Sequence, residues 1–267
     1  MKLARKIISL HFVLRLYSIL STQPVANYTL TDMANILTSS IGKKLIMSIS
    51  GLFLILFLLL HMTINLFSVI DSFTGSYGAA DGLFKAGCDF MALPIVTIMV
   101  PVLALGFVIH IIYAFYLTIC NIKARGGYSR YEVSSKAKTE SWASKNMLVL
   151  GIIVLGILAF HLTHFWADMQ LAEFTGGHAE DPYVLLNATF GQWWVVVIYI
   201  IWFGALWFHL THGFWSAFQT VGWSNQIWVK RLNVIGYIFA TIIFLGFAAV
   251  AINACLQANG LLCCGCC

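Results

Sequence analysis

The sequence predicts an all-α integral membrane protein, a bundle of five transmembrane helices. Of its 267 residues, 60% are hydrophobic and only 9% are charged. Too few polar groups remain to cover the surface of a soluble domain of this size. Five apolar segments are each long enough to cross the hydrocarbon core, which takes about 20 helical residues. They must be helices, because an open sheet would leave backbone groups unpaired in lipid.

The first part of the chain differs from the rest. Residues 1–32 carry four basic residues among apolar ones and are too interrupted by charge to span a bilayer. Such a basic, amphipathic segment is typical of an interfacial helix or a targeting sequence. Because Met33 begins a more ordinary N-terminus, the alternative is an upstream extension without function.

The five-helix anchor is predicted to cover residues 33–257. Its spans lie at about 45–70, 92–120, 147–171, 191–221 and 232–257. Residues 258–267 form a Cys-rich tail ending in Cys-Cys-Gly-Cys-Cys. The tail lacks the second half-site that a zinc or iron–sulfur centre needs, so we interpret it as loose.

Basic residues concentrate on alternate connections between the spans. They are Lys43, Lys44, Lys123, Arg125, Arg130, Lys136, Lys138, Lys145, Lys230 and Arg231. The opposite connections carry acids and only Lys85 as a base. The positive-inside rule therefore places the N-terminus in the cytoplasm and the C-terminus outside. This pattern accounts for the net charge of +5, and nothing resembles a nucleic-acid surface. Tryptophans near the span ends fit an aromatic belt: Trp142, Trp193, Trp194, Trp223 and Trp228.

Each of the first four predicted spans contains histidine, and the fifth contains none. A polar or ionisable group inside lipid is costly enough to indicate a function. Glycine and histidine recur at one offset of ten residues, as Gly51 with His61 and Gly151 with His161. His-Leu-Thr-His also occurs twice, at 161–164 and 209–212.

Depth along the helices sorts four histidines into two levels. At about 1.5 Å of rise per residue, His61 and His161 both lie on the outer side of the membrane, whereas His110 and His209 lie nearer the inner side. Haem iron takes one imidazole on each face. Two pairs at two depths therefore predict two haems stacked across the bilayer, between the helices.

Two spare histidines leave the assignment open at this point. His164 and His212 each lie about one turn from a ligand candidate, so depth only weakly favours His161 and His209. The spares either pack, hydrogen-bond to a haem propionate or carry protons. A porphyrin between helices also requires close backbone approach, which glycine permits. The glycines suited to this role are Gly51, Gly106, Gly151 and Gly213.

From about Met33 to Leu256 the chain resembles the single di-haem cytochrome b anchor subunit of bacterial succinate dehydrogenases and fumarate reductases. In that family a Gly-Leu-Phe-Leu segment leads to the first ligand, as Gly51–Leu54 leads to His61. The second and third ligands fall on His110, in Phe-Val-Ile-His, and on His161, in Gly-Ile-Leu-Ala-Phe-His-Leu. The fourth falls on His209, which precedes Gly213 by four residues and Gly222-Trp223 by about fourteen. This match favours His209 over His212.

The resemblance implies a distal haem b between His61 and His161 and a proximal haem b between His110 and His209. It implies two partners on the cytoplasmic face, a flavoprotein (FAD) subunit and an iron–sulfur subunit. Electrons would pass to or from menaquinone near the distal haem. Succinate or fumarate would react on the flavoprotein, in the tricarboxylic acid cycle or anaerobic respiration. The location implied is the bacterial cytoplasmic (inner) membrane.

The chain departs from the family at several positions. Some fumarate reductases carry a proton-linked glutamate where this chain has Trp207. A quinone-site acid is expected after the first span, with Asp81 and Asp89 as candidates, although ordinary loop solvation is the alternative. Candidate propionate donors on the inner side are Ser48, Trp142, Ser144, Lys145 and Arg231. The connection bases Arg125, Arg130, Lys136 and Lys138 either meet the iron–sulfur subunit or only enforce topology.

Two other functions are compatible with histidines on several spans. One is a cytochrome b of a hydrogenase or formate dehydrogenase, which the spacings fit less well. The other is a transporter or channel that uses the histidines as a proton or metal relay.

Overall fold

The computed structural model describes residues 39–124, 141–223 and 225–262. These residues form helices and connections without any strand, and five of the helices are long and apolar enough to cross a membrane. The predicted all-α membrane fold is confirmed. Several predictions concern positions outside the described residues: the extension 1–32, Met33, Arg125, Arg130, Lys136, Lys138 and the cysteines at 263–267.

The five long helices agree with the predicted spans. They are α1 (Ser40–Thr74), α3 (Pro94–Ala124), α5 (Met147–Phe174), α7 (Trp193–Val221) and α8 (Gln226–Ala258). In the described parts of the connections, three short helices lie between them: α2 (Leu83–Met91), α4 (Trp142–Lys145) and α6 (Pro182–Phe190). Helix α8 begins earlier than predicted because the Asn225 side chain caps it, accepting hydrogen bonds from the backbone N–H groups of Ile227 and Trp228 at 3.1 and 2.8 Å.

Helix α5 changes its winding in the middle. It is α-helical from Met147 to His161, π-helical from Leu162 to Leu171 and α-helical again over Ala172–Phe174. Wider π turns are rare and occur frequently at functional sites. In this chain the change begins at the residue after a predicted haem ligand.

Helices α7 and α8 pack side by side, and two of the largest fully buried side chains belong to them. Tyr199 of α7 and Ile243 of α8 are each 1% exposed. Helix α1 joins this core through Met62, which packs against Gly246 of α8. A Cβ added at Gly246 would lie only 2.6 Å from the Met62 sulfur. Close approach to α8 therefore requires glycine there.

Two of the described bases near helix ends contact aromatic side chains. Lys43 Nζ at the start of α1 donates to Tyr116 Oη near the end of α3 at 2.8 Å. Arg231, in the first turns of α8, lies 5.5 Å from the ring centre of Trp228. The assignment of this end to the cytoplasm stays a prediction.

Candidate functional site

The outer pair of predicted ligands meets in the structure. His61 lies on α1 and His161 on α5, and their ring centres are 5.9 Å apart with the ring planes at 85°. The two residues are 100 positions apart in the chain, so only the packing of α1 near α5 brings them together.

The inner pair meets in the same way. His110 of α3 and His209 of α7 have ring centres 6.4 Å apart and planes at 63°. The Ser50 hydroxyl of α1 lies 3.3 Å from Nδ1 of His110, within hydrogen-bonding distance. Such a contact to the second ring nitrogen fixes the orientation of a histidine ligand.

Both separations suit coordination of one metal by two imidazoles. Two rings on opposite faces of an iron would have centres about 6 Å apart, because each metal–nitrogen bond is about 2 Å long and each ring centre lies about 1 Å beyond its nitrogen. Among the described residues, no group of three or more His, Cys, Asp or Glu side chains is arranged to hold a metal ion. Two imidazoles can complete the coordination of a metal that brings further donors of its own, as haem iron does.

Aromatic rings enclose the outer pair. Phe57 and Phe247 lie 5.4 and 5.7 Å from the His61 ring. Phe165 and Trp202 lie 5.0 and 5.8 Å from the His161 ring. Such apolar neighbours limit the access of water to the two imidazoles, and the access of water to a metal site influences its redox potential.

Gly51 and Gly151 face different histidines from those with which the sequence repeat paired them. A Cβ on Gly51 would come within 3.3 Å of Cε1 of His110, and one on Gly151 within 3.7 Å of Cε1 of His209. Each repeated glycine therefore faces the inner pair, while the histidine ten residues later on the same helix belongs to the outer pair. Gly106 instead faces the Phe53 ring, and Gly213 faces the end of Met147.

Both spare histidines contact aromatic rings of their own helices. His164 donates from Nδ1 to the Phe160 carbonyl at 2.8 Å and packs on the Phe160 ring at 4.0 Å. The His212 ring lies 5.1 Å from the Trp215 ring. In the described structure neither ring contacts a predicted ligand on a facing helix, which fits roles outside the two histidine pairs.

Among the described residues, six buried side-chain polar atoms have no partner; one is Nε2 of Gln257 on α8, and the other five lie near the two pairs. These five are Nδ1 of His161, Oη of Tyr199 and Nε1 of Trp202 near the outer pair, and Nδ1 of His209 and of His212 near the inner pair. Tyr199 and Trp202 are 1% and 8% exposed, and an unpaired buried donor is costly. These groups fit a site that receives a polar cofactor. Sequence reasoning missed Tyr199 and Trp202, which no motif marks.

The remaining candidates differ in burial. Ser48 is buried on α1, whereas Trp142 is exposed and packs beside Phe208. Asp81 is exposed in the connection before α2, and Asp89 pairs with Lys85 on α2.

Trp207, at the position where some relatives of the suggested family carry glutamate, has a structural contact. Its Nε1 donates to Thr241 Oγ1 at 3.0 Å and so links α7 to α8. An indole is a donor only and takes no proton from a neighbour. Position 207 therefore serves helix packing in this chain.

Asp71 is a residue that sequence reasoning assigned only to an outer connection. The structure buries it completely at the end of α1. Its carboxylate accepts hydrogen bonds from the backbone N–H groups of Leu83 and Phe84 at 2.9 and 2.8 Å and from Tyr183 Oη at 2.6 Å. Burial raises the pKa of Tyr183, and the hydrogen bond to Asp71 raises it further. Asp71 thus joins α1, α2 and α6 above the outer pair.

The fold and the two histidine pairs define a multi-pass α-helical membrane protein with two sites whose ring separations suit bis-histidine ligation. Comparison of the chain with known protein families, with curated proteins and with solved structures found no match.

Proposed function

We propose that the chain is the cytochrome b subunit and membrane anchor of a succinate dehydrogenase/fumarate reductase complex. The observation that carries the proposal is the pair of histidine contacts at 5.9 and 6.4 Å, which join four different spans. The resemblance of the chain to that family supplies the rest of the assignment. In this proposal His61 with His161 would hold one haem b through its iron, and His110 with His209 would hold the other.

The protein residues hold, orient and insulate the cofactors. When bound, haem iron supplies reversible one-electron chemistry, which belongs to the cofactor. Ser50 orients His110, and the aromatic neighbours of the outer pair limit the access of water. Gly51 and Gly151 leave space beside the inner imidazoles. The unpaired donors Tyr199 Oη and Trp202 Nε1 suit the carboxylates of the outer haem, because a charged acceptor strengthens such hydrogen bonds.

The proposed partners follow the predicted orientation. A flavoprotein and an iron–sulfur subunit dock on the cytoplasmic face, where described bases such as Lys43, Lys123 and Lys230 are predicted to lie. Menaquinone reacts on the opposite side, near the outer pair. Succinate or fumarate is transformed on the flavoprotein, and this chain passes electrons between the iron–sulfur partner and the quinone in the bacterial inner membrane.

A reduced-minus-oxidised optical spectrum of the purified chain, expressed with haem supplied, tests the proposal. We expect a bis-histidine haem b signal and a pyridine haemochrome content of two haems per chain. A haem-free protein would overturn the proposal and favour a proton or metal relay. Co-purification of a hydrogenase or formate dehydrogenase instead of FAD and iron–sulfur subunits would move the chain to another respiratory complex.

A further inference from the structure

A cavity of about 270 Å³ lies between α5, α6 and α7. Part of its wall is apolar and includes Phe160 and Val195. Four polar side chains also line it: His164 and Asp168 of α5, Thr189 of α6 and Gln192 at the start of α7. A concave site on which a few polar groups converge is the usual form of a ligand site.

His164 has one ring nitrogen available for a ligand. Its Nδ1 lies 2.8 Å from the Phe160 carbonyl oxygen. A carbonyl oxygen only accepts, so Nδ1 carries the proton and Nε2 of the neutral ring is an acceptor. Metal-binding histidines commonly donate their second ring nitrogen to a backbone carbonyl in this way, because the contact fixes the tautomer and the orientation of the ring.

The oxygen atoms of the cavity are available as well. The side chains of Asp168 and Gln192 make no hydrogen bond to another described residue, and Gln192 does not use its side chain to cap α7. Thr189 is only 7% exposed, yet its hydroxyl also has no partner among the described residues. A buried hydroxyl without a partner is costly, and a bound ion with its water would satisfy it.

The charge at the cavity is negative. Asp168 is exposed, and its carbonyl accepts the backbone N–H of the exposed Glu180 at 3.1 Å, which brings a second acid beside it. The described lining of the cavity contains no lysine or arginine, and Lys85, on the same predicted outer side, pairs with Asp89. A cleft lined by one sign of charge concentrates ions of the other sign. The cavity therefore favours a cation.

We propose that this cavity binds a divalent transition-metal ion of the Zn²⁺ class through His164 Nε2 and the Asp168 carboxylate. An imidazole ligand suits such metals, whereas Mg²⁺ and Ca²⁺ prefer oxygen ligands alone. His164 and Asp168 are four residues apart on α5 and line the same cavity. No third His, Cys, Asp or Glu of the described residues joins them, so Thr189, Gln192 or water completes the coordination, as water does at open zinc sites.

The proposed metal site is distinct from the two histidine pairs and does not depend on haem. Both of its ligands lie in the π-helical segment Leu162–Leu171, which begins directly after His161 of the outer pair. A ligand that binds one conformation stabilises that conformation. A bound ion would therefore stabilise the π-helical form of the segment next to His161.

Zn²⁺ binding to the purified, haem-loaded chain tests the site, with bound Zn²⁺ measured by competition against a chromophoric chelator. The test variants are His164→Ala and Asp168→Asn. His178 and Asp81 are exposed and do not line the cavity, so His178→Ala and Asp81→Asn are matched controls. Zn²⁺ bound elsewhere, for example by the C-terminal cysteines, is common to every variant and cancels in the comparison.

We expect His164→Ala and Asp168→Asn each to bind this Zn²⁺ at least about tenfold more weakly than wild type, because losing even a group that only supports a metal ligand costs that much. Both controls should match wild type. Asp168→Asn keeps the size of an exposed side chain, so it serves if His164→Ala does not fold. Equal Zn²⁺ binding by wild type and Asp168→Asn would overturn the proposal, as would competition by Ca²⁺ at equal concentration.

The haem spectrum gives an independent result. A chain without any haem signal overturns the proposed function and leaves this metal site standing. A chain with both haems whose Zn²⁺ binding does not change in the test variants keeps the proposed function and loses the metal site.

Discussion

Gly51 of α1 lies directly against His110 of α3: a methyl group added at Gly51 would come within 3.3 Å of the imidazole Cε1. The same helix carries His61 ten residues later, in the outer pair. The position of α1 therefore places one of its residues at each histidine pair, and a shift of α1 along its axis would disturb both pairs.

Gly51→Leu should remove the inner haem of the proposed pair and leave the outer one. A side chain at this position has no free space beside His110, so it must displace the imidazole. We expect the pyridine haemochrome content to fall from two haems per chain to one. Gly156→Leu on α5 is the control, because a Cβ there meets nothing within 4 Å. Retention of both haems in Gly51→Leu would contradict the assignment.

His209→Ala should lose the inner haem, whereas His212→Ala should retain it. His209 faces His110 at 6.4 Å between ring centres, while His212 packs on Trp215 of its own helix. Haem content and the optical difference spectrum of the two variants provide the measurement. The reverse result would show that the ligand of α7 lies one turn further along.

Tyr199→Phe should lower the midpoint potential of the outer haem without changing haem content. In the proposed site the phenol donates to a haem carboxylate, and its loss leaves more negative charge near the iron, which favours the oxidised form. The shift should reach up to about 60 mV, the equivalent of a tenfold change for a one-electron couple. Redox titration of Tyr199→Phe and of Tyr237→Phe, an exposed position on α8, measures it. Equal potentials in the two variants would leave Tyr199 with a packing role only.

Tyr183→Phe should destabilise the chain, because it removes the 2.6 Å hydrogen bond to the buried Asp71. A buried hydrogen bond of this kind is worth about 1–3 kcal/mol. Unfolding in increasing fractions of SDS measures the change, with Tyr237→Phe as the control. A wild-type-like unfolding curve would mean that Asp71 joins α1 and α2 without help from α6.

The contribution of Tyr183 should also depend on pH. Its pKa is raised in the folded chain, so the folded state holds the phenolic proton more tightly than the unfolded state does. The stabilisation is fully present below the unfolded pKa of about 10 and is lost as pH rises through the folded pKa. The difference between wild type and Tyr183→Phe should therefore shrink at alkaline pH.

Several features of the site followed from the sequence. The pairing of His61 with His161 and of His110 with His209 was predicted from depth, because the rise per residue in a helix converts position in the chain into position across the membrane. The structure brings the rings of each pair to 5.9 and 6.4 Å, and their role as haem ligands stays a prediction. The sequence also predicted that glycines lie near a cofactor, but it did not identify the histidine pair that each glycine faces.

Other features could not be predicted from single positions. Asp71 counted as one acid among several of an outer connection, yet it is buried under α2 and α6. Trp207 is distinguished only by its contact with Thr241 of α8. A cavity beside His164 is lined by residues of α5, α6 and α7. No sequence pattern predicted that the short helix α6 would pack against α5 and α7.

The sequence by itself determined the five spans, their alternating direction and the depth of each histidine, because lipid demands long apolar helices and the helix has a constant rise. Only the tertiary structure decided which face of each helix meets which neighbour. Lipid is as apolar as a helix interface, so membrane helices carry no polar stripe to mark their outward side, and close packing between distant segments sets their rotation. That rotation aims Gly51 at His110, His61 at His161 and His164 into the cavity.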